Sequence, residues 1–176
     1  MKMYTISGAP RSGKNLFVSL VAEALGQDRV YETSTVEVVK DIAKYCGWTG
    51  EKSLKDRKFL SDLKDILEEW NDLSYRSIKR FVEDTYWWTI NYPQLWEKVV
   101  IFVHAREEKD INRLKKDYGA KSILIRNPIA ESTTYSNHAD KNVLNSDYDI
   151  DIFNSNNSIE EFREIVKFFT EQENLD

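Results

Sequence analysis

The chain has a single cysteine, Cys46, and only two histidines in 176 residues. One cysteine excludes an intrachain disulfide framework and fits a reducing, cytoplasmic setting. Two histidines and one cysteine are too few for a dedicated zinc site. Cys46 falls at the end of a helical pattern, where a half-buried thiol is expected. Proline is scarce, at three residues, and glycine stops at six. With no internal repeat and no low-complexity tract either, a Pro/Gly-rich linker or fibrous architecture is excluded. No apolar run approaches the roughly 20 residues of a membrane span, so no membrane partner is expected. The first apolar stretch is a short strand rather than a signal peptide. Positive charge is not in excess: 25 basic residues stand against 30 acidic ones, a net charge of −5. That removes the electrostatic case for nucleic acid as the main partner, while leaving room for a local basic pocket. What is present is a globular composition, 41% hydrophobic and 31% charged, in a chain long enough for one domain with a real core.

Strand and helix patterns alternate, which predicts an α/β fold with a parallel sheet covered by helices. A strand is expected over residues 2–7, a helix from Gly13 to about Leu25 and a second strand over 29–33. Ser34 stands three residues before Glu37, the spacing of a capping box for the next helix, which ends near Cys46-Gly47. The middle of the chain, about residues 36–96, reads as helical and aromatic. Ser53 to Asp56 is another cap signal. Phe59, Leu60, Leu63, Ile66, Leu67 and Trp70 follow at helical spacing and predict one apolar face, broken at Asn71-Asp72. Tyr75, Ile78, Val82 and Tyr86 predict a stripe on a further helix, and Pro93 opens a turn with Leu95 and Trp96. Val99 to Val103 is a continuous apolar run, as in a strand buried on both faces. A helix from Glu107 to Tyr118, closed by Gly119, and a strand over 122–125 come next. Residues 127–147 are polar and read as a loop. A fifth strand is expected over 149–153, and Ser158 with Glu161 caps a last helix. Most of the five tryptophans are expected to pack helices.

Between the first strand and first helix stands Gly8-Ala9-Pro10-Arg11-Ser12-Gly13-Lys14-Asn15. This is G-x-x-x-x-G-K, the phosphate-binding P-loop, with Asn in place of the usual Ser or Thr. A strand, a glycine turn and a helix N-terminus form an anion site: backbone N–H groups converge on phosphates, and Lys14 can reach the terminal ones. The Asn15 carbonyl can hold a metal-bound water but does not replace a hydroxyl ligand.

Phosphoryl transfer spreads negative charge over the moving group and calls for several cations. Arginine suits this because its planar fork pairs with phosphate at two points and stays ionised. The candidates are Arg11, Arg57, Arg76, Arg80, Arg106 and Arg126. Arg76 and Arg80 are four apart on one helix and can project from one face toward an acceptor; the plainer alternative is a solvated surface. Arg106 and Arg126 fall at or just past the C-terminal ends of predicted strands, where open α/β sheets bind ligands. Carboxylates are fewer there. Glu32, at the end of the second strand, is the candidate for organising Mg²⁺ through water, while Glu107 and Glu108 suit a helix N-terminus.

Taken in order, these residues resemble the phage-type deoxynucleoside monophosphate kinases, within the P-loop nucleotide kinases that include adenylate kinase and dephospho-coenzyme A kinase. Ser12-Gly13-Lys14-Asn15 is similar to that family's S-G-K-D. His104-Ala105-Arg106 corresponds to its D-V-R step, and Gly119 with Ile123 to Arg126 to its glycine and I-x-R strand. His138-Ala139-Asp140 is similar to H-x-S-E, and Ile152-Phe153-Asn154 to I-x-N. The resemblance implies a three-layer α/β/α P-loop fold with a five-stranded parallel sheet, and ATP with Mg²⁺ as cofactors. It implies catalytic roles for Lys14, Arg106 and Arg126, a lid holding His138 and Asp140, and Asn154 near the adenine. The helices over 36–96 would bind the acceptor, with Arg57, Arg76 and Arg80 assigned there on chemistry alone. The implied function is transfer of the ATP γ-phosphate to a small phosphorylated acceptor, a nucleoside or deoxynucleoside monophosphate. His104 departs from the family's aspartate and Asn15 from the usual hydroxyl. Those departures motivate two alternatives: a nucleotide-binding protein with weak or no catalysis, or an acceptor-independent ATPase.

Overall fold

A computed structural model describes residues 1–51, 53–89, 92–132, 143, 147–155 and 158–175. The elements in chain order are β1 (Lys2–Ser7), α1 (Lys14–Leu25), β2 (Val30–Ser34), α2 (Glu37–Tyr45), α3 (Leu54–Asn71), α4 (Leu73–Thr89) and α5 (Pro93–Lys98). Then come β3 (Val100–His104), α6 (Glu108–Tyr118), β4 (Lys121–Arg126), α7 (Pro128–Glu131), β5 (Ile150–Phe153) and α8 (Ile159–Gln172). The described strands form one five-stranded sheet in the order β2-β3-β1-β4-β5. The sheet is parallel, with Ile6 opposite His104 on one side and Ile123 on the other, and Arg126 opposite Phe153. The α/β expectation holds. From β1 the chain leaves toward one edge, and from β4 toward the other. The carboxyl ends of β1 and β4 therefore flank the switch point at which such sheets open a crevice.

The chain divides into two compact units. One comprises Met1–Glu32 and Thr89–Asp176, the other Thr33–Trp88. The helical stretch expected over 36–96 falls mainly in the second, with α5 in the first.

The core of the first unit explains where α1 must lie. Tyr4 and Phe102, on adjacent strands, stack at 5.5 Å, and Phe17 of α1 meets Phe102 at 6.1 Å and Phe169 of α8 at 5.1 Å. Phe17, Val21, Phe102 and Ile125 have no exposed surface. A single aromatic seat thus fixes the helix behind the glycine loop against the sheet. Val100 to Val103 are all buried, as a strand covered on both faces must be.

The second unit is where sequence expectations fail most. Ser34 does not cap α2: it is the last residue of β2, and its hydroxyl accepts from the Val36 N–H at 3.2 Å instead, while Val36 is the cap residue. Ser34 keeps its strand conformation, and the Glu37 carboxylate goes to Lys40. The Ser53–Asp56 capping box does form. The face predicted on α3 is not buried: Phe59, Ile66 and Trp70 are exposed, Leu60, Leu63 and Leu67 are half-buried, and Lys64 is the buried residue of that helix. On α4 the buried line is Ser74, Ile78, Val82, Thr85 and Thr89, with Tyr75 half-buried and Tyr86 exposed. Periodicity located the stripe but mistook its edge, because small polar residues rather than tyrosines sit inward. The tryptophans do not pack as expected either. Trp70, Trp87 and Trp88 are exposed, and Trp48 and Trp96 are half-buried. Cys46 is at the end of α2 as expected, but it is exposed. No helix among the described residues is long and apolar enough to cross a membrane.

Candidate phosphate-binding site

The loop between β1 and α1 has the backbone its glycines predict. Gly8 has φ +143° and Gly13 φ +103°, both in the region that side chains disfavour. A Cβ on Gly8 would lie 2.5 Å from the carbonyl oxygen of Ile125, and one on Gly13 would lie 2.4 Å from the Asn154 amide nitrogen. Arg11 also has a left-handed backbone, φ +67°. A non-glycine residue held there is a local strain of the kind that gathers at functional loops. Within the loop, the Ser12 N–H donates to the Ala9 carbonyl at 3.1 Å, and the Phe17 N–H to the Gly13 carbonyl at 2.8 Å. Ser12 is fully buried. The Lys14 ammonium donates to the carbonyls of Gly8 at 2.8 Å and Ala9 at 2.7 Å. A cation is thereby held over the loop at the N-terminus of a 12-residue helix. Helix dipole, loop geometry and ammonium all favour an anion at one place. Asn15 is exposed beside Lys14.

The strand ends supply the rest. The Ser7 hydroxyl donates to the Ala105 carbonyl, and the Ala105 N–H donates to Ile6 at 3.3 Å. These bonds lock the ends of β1 and β3 side by side. His104, one residue earlier, is mostly buried, and its Nε2 lies 3.2 Å from the Glu32 carboxylate. Glu32 therefore has a partner of its own at the end of β2. Arg106 follows on β3's exit and is half-buried.

Arg126 is at the end of β4, and its fork is occupied. Nε donates to Glu131 Oε1 at 2.8 Å and Nη2 to Oε2 at 3.0 Å. The bidentate contact holds the Glu131 carboxyl below its ordinary range, and the Asn127 N–H, donating to the same carboxylate at 3.0 Å, adds to this. The guanidinium is correspondingly pushed up by its bond to Glu131. Glu131 belongs to α7, a turn of helix where the sequence suggested loop. Asn127 caps it by accepting from the Ala130 N–H at 3.0 Å, with Pro128 at its start. The Asn-Pro pair followed by an acid was the signal for this turn.

Asn154, expected near a base, lies under the loop. It is buried, its side-chain amide donates to the Ser12 carbonyl at 2.9 Å, and its backbone N–H donates to the Arg126 carbonyl at 2.8 Å. Arg57, Arg76 and Arg80 belong to the second unit and are exposed, with Arg80 3.7 Å from Asp84 of its own helix. His138 and Asp140 lie outside the described residues. The described residues contain no cluster of three His, Cys, Asp or Glu side chains able to hold a metal by themselves.

No protein-family model matches this chain, and neither does any curated protein. Solved structures do match. The chain is similar to shikimate kinase from Aquifex aeolicus vf5 at 17% identity, over 99% of both chains, with a TM-score of 0.54. It is similar to a protein from Chloroflexus aurantiacus j-10-fl at 12% identity, over 97% of this chain and 94% of that one, with a TM-score of 0.53. The architecture is therefore an α/β fold like that of shikimate kinase. The likeness is one of fold, and it does not single out the monophosphate kinases.

Proposed function

We propose that this protein is an ATP-dependent phosphotransferase acting on a small phosphorylated acceptor, a nucleoside or deoxynucleoside monophosphate in the first place. The observation that carries the reading is the strained loop at residues 8–15, with the Lys14 ammonium above it at the helix N-terminus. Arg106 and Arg126 at neighbouring strand ends supply further positive charge where a migrating phosphoryl group needs it. An acceptor phosphate oxygen attacks the γ-phosphorus in line, the bond to the β-phosphate oxygen breaks, and ADP leaves with the electron pair. Lys14 follows the moving group. Arg126 takes part once its fork exchanges Glu131 for phosphate. Arg57, Arg76 and Arg80 are the proposed acceptor contacts, and His138 with Asp140 the proposed lid residues. Mg²⁺ would be held chiefly by nucleotide oxygens, with the Asn15 carbonyl and Glu32 reaching it through water, and it would neutralise phosphate charge.

One observation favours a second reading, a nucleotide-binding protein with weak turnover. Asn15 offers no hydroxyl, and Glu32 is already engaged by His104. One experiment separates the two: transfer from γ-labelled ATP across a panel of nucleoside and deoxynucleoside monophosphates, with ATP affinity measured alongside. Labelled diphosphate product supports the kinase. Tight ATP binding with no labelled product from any acceptor supports the second reading and overturns the first.

A further inference from the structure

Asn154 is separated from Ser12 by 142 positions of sequence, yet its amide nitrogen donates to the Ser12 carbonyl at 2.9 Å, inside the protein. Its own backbone is pinned, because its N–H donates to the Arg126 carbonyl at the end of β4. Gly13 has no side chain at the point where a Cβ would come within 2.4 Å of that same amide nitrogen. Ser12 and Gly13 are the two residues immediately before Lys14. Three facts therefore converge on one place: a buried donor, a fixed backbone behind it, and a loop residue shaped to let it in.

We propose that Asn154 is a positioning residue of the phosphate loop, setting the direction of its N–H groups, and not a contact for the base of the nucleotide. The physical argument is peptide-plane orientation. The carbonyl of Ser12 and the N–H of Gly13 belong to one rigid peptide unit. Holding the carbonyl inward toward Asn154 turns the Gly13 N–H the opposite way, away from the protein interior and toward the anion. The peptide that follows begins at a left-handed Gly13 and leads into the first turn of α1. Its setting depends on the same anchor. A side chain committed in this way acts on phosphate whatever base is attached. The consequence for nucleotide rests on the function proposed above, whereas the brace itself does not.

The test compares ATP with inorganic tripolyphosphate, which has the phosphates and no base, on the wild-type protein, Asn154→Ala and Asn154→Asp. Each protein is also followed by amide hydrogen exchange without any ligand. Loss of a buried hydrogen bond that leaves the Ser12 carbonyl unsatisfied is expected to weaken both polyphosphates by a similar factor, about tenfold or more. Asn154→Asp should weaken them further, because it sets a carboxylate against a carbonyl beside the anion. In the free protein, amides over residues 9–14 should exchange faster in Asn154→Ala, with α1 beyond its first turn unchanged. A loss confined to ATP overturns the proposal in favour of a base contact. Unchanged affinities together with unchanged loop exchange overturn it outright. Should the wild type bind neither polyphosphate, the proposed function falls; the exchange of residues 9–14 still decides whether Asn154 braces the loop.

Discussion

At the scale of single residues, the loop places its demands on a few atoms. Lys14→Ala removes the cation over the loop and is expected to lower turnover by about 10²- to 10³-fold, in the range seen for one lost electrostatic stabiliser. Circular dichroism should show the fold retained, since the ammonium bonds loop atoms at residues 8, 9 and 12. Gly8→Ala acts differently. It forces a methyl group to within 2.5 Å of a backbone oxygen of β4 and a side chain into φ +143°. A cost of about 2 kcal/mol or more is expected in denaturant unfolding, with weakened ATP binding. The loop's position and the need for glycine at 8 and 13 were legible from spacing alone, because the motif is local. The bond from Asn154 to the loop was not legible in the sequence. Its two partners lie 142 positions apart, and no local pattern encodes such a distance. Glu131 was missed for the opposite reason: it is local, but it was hidden in a polar stretch read as loop.

At the scale of elements, caps and ion pairs set the margins of the fold. Ser53→Ala removes the hydroxyl that accepts from the Asp56 N–H and should cost about 1 kcal/mol, read as a lowered Tm. The capping boxes show why some signals are readable and others are not. Ser53 and Ser158 themselves stand outside any strand and cap as expected. Ser34 has the same spacing, but the preceding strand runs through it. The pairing of α7 with β4 gives a pH signature. Arg126 holds the Glu131 carboxyl below its ordinary value of 4.5. The folded protein then binds that proton less readily than the unfolded chain. Stability from the pair is complete above that ordinary value and is lost as pH falls through the depressed one. The expected result is a Tm difference between wild type and Glu131→Gln that is constant at neutral pH and shrinks toward zero on acidification below about 4.5. A difference independent of pH would show that the carboxylate charge contributes nothing. Both side chains keep some exposure, so the effect is modest.

At the scale of the whole molecule, the two compact units are built unequally. The first has a continuous core of Tyr4, Phe17, Phe102, Phe162 and Phe169 across the sheet, α1 and α8. The second contains α3, in which one residue of eighteen is buried, and an α4 with large aromatics exposed. Stability follows buried apolar contact and is not uniform along a chain. Native-state hydrogen exchange is therefore expected to show β1, β3 and β4 exchanging only through global unfolding, with α3 opening at lower free energy. Equal protection in both would contradict this account of the core. The α/β class and the positions of the strands along the chain were legible because apolar runs of strand length alternate with helical periods. The burial of the middle helices was not, because an apolar stripe reports which face is greasy and not whether anything covers it.

The first strand also has a place in time. β1 is flanked by β3 and β4, and its Tyr4 hydroxyl donates to Glu173, 169 residues later, while Lys2 donates to the carbonyls of Glu173 and Asn174. Both sheet neighbours of this strand are therefore synthesised long after it. At about 5–20 residues per second, roughly ten to thirty seconds pass on the ribosome before Glu173 exists to meet Tyr4. Until β3 and β4 have themselves been made, this apolar strand lacks both of the partners that later cover its edges.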